Sequence, residues 1–160
     1  MPGVATIGVY CFTGETFSQK LLAADVRLLV DVRQRRGVRG SQFAWANARR
    51  LQALLAGAGI AYVHHKKLAP TTELRQLQYR EDDRHGVGKR SRRVLASEYV
   101  ERYTHEILDR VDLGPLVAEF PAAGRAALLC VECNAAACHR GLIAARLASE
   151  YGFTVTDLVP

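Results

Sequence analysis

Five short apolar segments recur along this chain, and segments with helical periodicity separate most of them. The clearest one, residues 26–32, is mostly apolar, which is typical of a strand covered on both faces of a parallel sheet. Strands that alternate with helices favour a three-layer α/β/α domain with a mostly parallel sheet of about five strands. We predict one such domain over residues 1–160. The predicted strands span residues 4–10, 26–32, 60–63, 126–131 and 153–158.

Residues 64–92 break the alternation of strands and helices. This segment is polar and basic, and it contains Pro70, Gly86 and Gly88, which interrupt regular secondary structure. A segment of this length and composition is typical of a functional loop or lid. We therefore predict a long basic loop or lid over residues 64–92. The predicted helices span residues 14–24, 44–58, 98–111 and 138–150, with a short piece at 116–120.

Positive charge is unevenly distributed along the chain. There are 22 Lys and Arg residues against 16 Asp and Glu, and the formal net charge is +6. Clustered basic residues attract nucleic acid or phosphorylated small molecules, but they also occur as a solvated basic face. We therefore expect an anionic partner, such as nucleic acid, with the solvated face as the alternative. One cluster contains Arg33, Arg35, Arg36 and Arg39, and the other contains Lys89, Arg90, Arg92 and Arg93.

The distribution of apolar residues argues against a membrane protein. No apolar run approaches the roughly 18 residues that a membrane-spanning helix needs. The first residues also lack the basic region and apolar stretch of a signal peptide. We therefore expect a cytoplasmic protein with no membrane partner, in which the four cysteines are thiols, ligands or redox residues rather than structural disulfides.

The most distinctive chemistry lies between the fourth predicted strand and the last predicted helix. Residues 130–140 contain three cysteines, one glutamate, one histidine and one arginine. A strand-to-helix turn lies at the carboxyl edge of a parallel sheet, where α/β proteins bind ligands. A cysteine at a helix N-terminus, such as Cys138, is more nucleophilic than an ordinary thiol. Arg140 is suited to hold a phosphate or carboxylate.

The ends of the other predicted strands add side chains to the same edge. Asp31 and Glu132 end neighbouring strands, where paired carboxylates support acid–base chemistry or bind Mg²⁺, or brace the sheet by pairing with arginines. In a purely structural alternative, Cys138 packs the helix start and Arg140 pairs with one of these carboxylates. The catalytic candidates are Cys138, Glu132 and Asp31. The ligand-binding candidates are Tyr10, Arg33, Arg35, Arg36, Arg39, His139 and Arg140.

A zinc site is a further possibility in the same segment. Cys130, Cys133, Cys138 and His139 supply four sulfur and nitrogen ligands, the set that tetrahedral zinc prefers. Two arguments oppose it. Cys130 is expected to be packed inside an apolar strand, and adjacent residues such as Cys138 and His139 point roughly 100° apart on a helix. We therefore expect neither a metal nor another cofactor.

Several motifs along the chain together resemble one protein family. They are similar, in order, to the motifs of the family called domain of unknown function 488, DUF488. The resemblance extends over nearly the whole chain and implies a compact α/β domain without an established activity. The chain departs from the usual family pattern at residues 9–10, 35–37 and 68–70, in the loops expected to face a ligand. The matching motifs are Thr6-Ile7-Gly8, Leu29-Val30-Asp31-Val32-Arg33, Gly59-Ile60-Ala61-Tyr62, and Leu128-Leu129-Cys130-Val131-Glu132 followed by Cys138-His139-Arg140.

Three functional hypotheses follow from these residues. The first is a domain that binds or acts on an anionic ligand, a nucleic acid or a nucleotide, at the carboxyl edge of the sheet. The second is a cysteine-dependent enzyme of the sulfurtransferase or phosphatase type, with Cys133 or Cys138 as nucleophile and Arg140 as anion clamp. The third is a structural or adaptor domain, in which the motif only stabilises the turn.

Overall fold

The computed structural model describes residues 2–160 and contains one five-stranded sheet. Its strands are β1 (Gly3–Gly8), β2 (Val26–Asp31), β3 (Ala61–His64), β4 (Arg125–Cys130) and β5 (Thr154–Leu158). They lie in the order β3-β2-β4-β1-β5, and all neighbouring strands are parallel. The predicted α/β class with a parallel five-stranded sheet is confirmed.

Helices cover the sheet on both sides, which gives the three layers that the alternation predicts. Helices α1 (Gly14–Ala23) and α2 (Ala48–Gly57) contact each other and pack on β2 and β3, respectively. Helix α6 (His139–Tyr151) packs on β1, β4 and β5, and also contacts α4 (Ser97–Glu106), which in turn contacts α3 (Thr72–Arg84). The remaining α-helix of residues 2–160 is α5, which spans Gly114–Glu119. No helix within residues 2–160 is long and apolar enough to cross a membrane.

The sequence predicts a loop or lid over residues 64–92, but the structure has helix α3 at Thr72–Arg84 within this segment. The prediction of a loop is therefore wrong for these residues. Thr71 caps the helix by accepting a hydrogen bond from the backbone N–H of Leu74. The buried face contains only two leucines, and its other two buried residues are polar. Apolar periodicity therefore cannot detect this helix. The buried residues of α3 are Leu74, Leu77, Gln78 and Asp82.

Other predicted helices also begin or end differently in the structure. The segment predicted as one helix over residues 44–58 divides into a 3₁₀ helix (Ser41–Ala46) and α2, since Asn47 between them has extended backbone angles. The side chain of Asn47 accepts a hydrogen bond from the backbone N–H of Val38, so it holds the preceding loop. Helix α6 begins at His139, and the extended Cys138 is its N-cap.

Candidate functional site

A cavity of about 680 Å³ opens at the carboxyl edge of the sheet. Its floor is formed by the ends of β1, β2 and β4 and by the start of α6, and its walls by α3 and the segment after it. The predicted convergence of several strand ends on one crevice therefore describes this cavity well. All three segments that depart from the usual family pattern contribute to the lining, through Tyr10, Arg35, Gly37 and Pro70.

Asp31 and Arg33 form a buried ion pair at the end of β2. Arg33 donates from Nε to Oδ1 of Asp31 at 2.8 Å and from Nη2 to Oδ2 at 2.7 Å. The Tyr62 hydroxyl donates to Oδ2 at 2.6 Å, and the backbone N–H of Arg33 donates to Oδ1. Each carboxylate oxygen of Asp31 thus accepts two hydrogen bonds. Asp31 does not line the cavity. The predicted catalytic role of Asp31 is therefore not supported, because its carboxylate braces the sheet edge.

A second buried ion cluster connects α3 to the end of β4. Arg92 donates to Asp82 at 2.6 Å, to Glu132 at 2.7 Å and to the backbone oxygen of Ala137 at 3.1 Å. Gln78 supports Asp82 through a 2.9 Å hydrogen bond. One guanidinium therefore holds together the cavity wall, the strand end and the turn before α6.

Glu132 lines the cavity and is only 5 % exposed. Its Oε1 accepts the hydrogen bond from Arg92, but its Oε2 has no hydrogen-bond partner within residues 2–160. Burial raises the pKa of Glu132, and the charges of Lys89 and Arg92 oppose that shift. Buried polar atoms are normally satisfied, so a free carboxylate oxygen at a cavity marks a place where a ligand, water or ion would bind.

Arg140 is 1 % exposed and does not line the cavity. Its guanidinium donates to the backbone oxygens of Glu132 at 2.6 Å and of Cys133 at 3.1 Å. The end of β1 packs tightly against the same turn, since a Cβ added to Gly8 would lie only 1.8 Å from the backbone oxygen of Glu132. Arg140 therefore holds the turn after β4 in place. Neither its predicted anion clamp nor the alternative pairing with a carboxylate describes the contacts it makes.

Cys130, Cys138 and His139 form a buried cluster in the cavity lining. Nδ1 of His139 lies 3.8 Å from Sγ of Cys130 and 3.7 Å from Sγ of Cys138. Nε2 of His139 donates to the backbone oxygen of Val32 at 2.7 Å, so Nδ1 faces the two thiols. Burial and the Cys138 thiol raise the pKa of Cys130 to about 12. Burial lowers the pKa of His139, but Cys130 and the Val32 oxygen raise it more, so it lies above its ordinary value.

Cys133 is separate from this cluster and from the cavity lining. Burial and a hydrogen bond with the neighbouring Cys11 thiol raise the pKa of Cys133 to about 12. A thiol with such a pKa is almost entirely protonated at neutral pH and is a poor nucleophile. Of the two cysteines predicted as nucleophiles, only Cys138 lies at the cavity.

The predicted ligand-binding arginines divide between the cavity and its surroundings. Arg35 and Arg39 are exposed side chains of the cavity lining, but Arg36 donates to the Tyr62 hydroxyl and does not line it. Tyr10 lies in the lining and is half-buried beneath Arg90, whose guanidinium carbon is 5.3 Å from the ring centroid. Tyr10 and Arg39 thus both lie in the cavity lining.

Sequence reasoning missed several residues of the wall. Arg75 and Tyr79 lie on α3, and Lys89, Arg90 and Arg92 follow it. The sequence shows the basic cluster at residues 89–93, but no sequence pattern places this cluster next to the strand ends. The one usable signal is Thr71, which has the residue type of an N-cap, three residues before Leu74.

The raised pKa of Cys133 predicts slow alkylation. At pH 7 a pKa of about 12 leaves roughly one thiol in 10⁵ ionised. We therefore expect iodoacetamide to react far more slowly with Cys133 than with the thiol of glutathione, and the rate at Cys133 should still be rising at pH 10. Mass spectrometry of the alkylated protein measures the rate for each cysteine. Cys11→Ser removes one cause of the shift and is expected to speed the reaction. A Cys133 rate that reaches its plateau below pH 9 would contradict the prediction.

No match was found among curated proteins or among solved structures. A family model described as "Domain of unknown function DUF488" matches residues 13–147, which are most of the 160-residue chain. This match includes β2, β3, β4, the turn that Arg140 holds and most of α6. The chain therefore belongs to the DUF488 family.

Proposed function

We propose that the cavity binds an anionic ligand of the size of a nucleotide. The observation that carries this proposal is the charge of the lining, in which Glu132 is the one carboxylate against seven cationic side chains. Two of the seven are neutralised by buried carboxylates, Arg33 by Asp31 and Arg92 by Asp82 and Glu132. The other five form no salt bridge within residues 2–160. They are Arg35, Arg39, Arg75, Lys89 and Arg90.

The position of these cations favours a small anion at the cavity. Lys89 is partly buried, and the charge of Glu132 and the Tyr79 and Tyr10 side chains keep its pKa raised although burial opposes this. Arg75 donates to Gln34 at 2.8 Å and to the Tyr79 hydroxyl at 3.0 Å, so its guanidinium is held by neutral partners. Cations that line one cavity in excess over its single carboxylate attract a multiply charged group such as a phosphate.

The size and the aromatic residues of the cavity favour a nucleotide over a nucleic acid duplex. A volume of 680 Å³ lies within the range of roughly 300–1,000 Å³ that small-molecule sites occupy. Tyr10 and Tyr79 line the cavity and offer ring surfaces on which a base can stack. A single-stranded end can enter such a site, whereas a duplex would reach only its rim.

Binding of a nucleoside diphosphate is the direct test. Isothermal titration should detect adenosine 5′-diphosphate but not adenosine, and the affinity should fall as salt rises. Arg39→Gln/Arg90→Gln is expected to weaken binding at least tenfold, because each charge-assisted hydrogen bond contributes about 1.5–3 kcal/mol.

The matched control removes two exposed arginines outside the cavity, with Arg49→Gln/Arg50→Gln. This control has the same net charge as the test variant and should bind like the unmodified protein. Equal weakening in both variants would show that only the net charge matters and would sink the proposed site. Tight binding of a single-stranded oligonucleotide without binding of the diphosphate would replace the nucleotide with nucleic acid.

The cysteine-enzyme alternative has one supporting observation, the 3.7 Å separation between Cys138 Sγ and His139 Nδ1 in the cavity lining. Such a pair is the arrangement that activates a thiol. Against it, Arg140 is occupied by backbone oxygens and Cys138 is 2 % exposed. Fast alkylation of Cys138 near neutral pH would favour the enzyme, and slow alkylation would leave the binding function.

A further inference from the structure

We infer that Cys130, Cys138 and His139 form a binding site for a divalent metal ion, with zinc as the best match to its ligands. Two sulfurs and one imidazole nitrogen are ligands that zinc prefers, and three protein ligands leave a fourth position open. All three residues line the cavity, so that fourth position would face the space proposed for the anionic ligand. The metal site depends on this cluster alone and not on the nucleotide proposal.

The distances from the histidine nitrogen to the two sulfurs are close to those that a tetrahedral ion requires. The three atoms lie within 4.8 Å of one another, and Nδ1 of His139 is 3.8 Å and 3.7 Å from the two sulfurs. Zinc bond lengths of about 2.3 Å to sulfur and 2.0–2.1 Å to nitrogen place tetrahedral ligand atoms roughly 3.5–3.8 Å apart. Binding therefore requires shifts of only a few tenths of an ångström between the histidine nitrogen and the sulfurs, while the two sulfurs, which lie within 4.8 Å of each other, would move together to the separation that the ion sets.

The local backbone explains how two adjacent residues can bind one ion. Cys138 has φ −146° and ψ 148°, so it precedes the helix in an extended conformation. The angle of roughly 100° between neighbours on a helix does not apply to this pair. Cys130 reaches the same point from the last position of β4, which is buried but lies at the cavity. Both sequence arguments against a metal are thereby removed, although Cys133 is not one of the ligands.

The surroundings of the cluster suit metal ligands. The bond from His139 Nε2 to the Val32 oxygen fixes the ring and leaves Nδ1 with its lone pair towards the two sulfurs, as is usual for a metal-binding histidine. The backbone N–H of Arg140 donates to Cys138 Sγ at 3.5 Å, at the positive end of α6. These contacts position the ligands.

Glu132 provides an independent indication of a missing partner. It lines the same cavity two residues after Cys130, and its buried Oε2 lacks a hydrogen-bond partner within residues 2–160. A water molecule at the fourth position of the metal would be a natural donor to such an oxygen.

Cobalt(II) binding to the full-length protein tests this site, because cobalt substitutes for zinc and absorbs visible light. After treatment with a chelator, one equivalent of cobalt should produce the thiolate-to-metal charge-transfer absorption and the visible bands of a tetrahedral ion, and zinc should displace it. Cys130→Ser, Cys138→Ser and His139→Gln should each lose this spectrum. Circular dichroism would establish that the variants are folded.

The other two cysteines provide matched controls. Cys11→Ser and Cys133→Ser should keep the unmodified spectrum and stoichiometry, because neither belongs to the cluster. Two results would overturn the inference: absence of a charge-transfer band in the unmodified protein, or loss of the band in Cys133→Ser. Nucleotide binding is measured separately, so its failure would leave the metal result unaffected.

Discussion

Arg92→Leu is expected to destabilise the protein by about 3–5 kcal/mol, because it leaves buried carboxylates without their common partner. Arg92 is 8 % exposed and binds both Asp82 and Glu132. These two acids lie on α3 and at the end of β4, so the cavity wall would lose its main polar link to the sheet. Urea unfolding followed by circular dichroism gives the change in the free energy of unfolding.

The next residue supplies the control for this experiment. Arg93 is exposed and forms no salt bridge within residues 2–160, so Arg93→Leu should change the free energy of unfolding by less than about 0.5 kcal/mol. Adding Glu132→Gln to Arg92→Leu should recover part of the loss, because it removes one unpaired charge. A loss below 1 kcal/mol for Arg92→Leu, or no recovery in the double variant, would contradict the argument.

The fold was predictable from the sequence because its apolar residues follow regular patterns. Five strands were found from apolar segments alone, and each observed strand overlaps its prediction. Helix α3 escaped because half of its buried face is polar. Gln78 and Asp82 are buried only because Arg92 and the backbone of Ala96 pair with them across the cavity wall. Such partners are set by tertiary contacts and not by local periodicity.

The site was predictable in place but not in detail. The rule that parallel strands end at one edge brought Arg33, Glu132 and His139 together correctly. It could not show that Asp31 is saturated by hydrogen bonds, or that Arg140 points at backbone oxygens. The expectation that Cys138 and His139 point roughly 100° apart on a helix is wrong for a local reason, since the helix begins at His139, one residue later than predicted.

Arg33→Leu is the second substitution for which we expect a loss of about 3–5 kcal/mol, because the buried Asp31 carboxylate would be left without its counterion. The Tyr62 hydroxyl and the backbone N–H of residue 33 remain as donors, but neither carries a charge. The same urea unfolding experiment measures the loss. Adding Asp31→Asn should restore part of it, as expected when an uncompensated charge is responsible.

The chain contains a natural control for this ion pair, at the start of β2 instead of its end. Asp25 and Arg27 have the same spacing of two residues and a comparable separation of 2.9 Å, but their side chains are 59 % and 62 % exposed. Because water screens exposed charges, Arg27→Leu should cost no more than about 1 kcal/mol. The two pairs match in spacing and residue types and differ in burial and in the number of hydrogen bonds, since Arg33 forms two to Asp31 and Arg27 forms one to Asp25. A loss at Arg33 as small as the loss expected at Arg27 would mean that the buried pair does not brace the sheet edge.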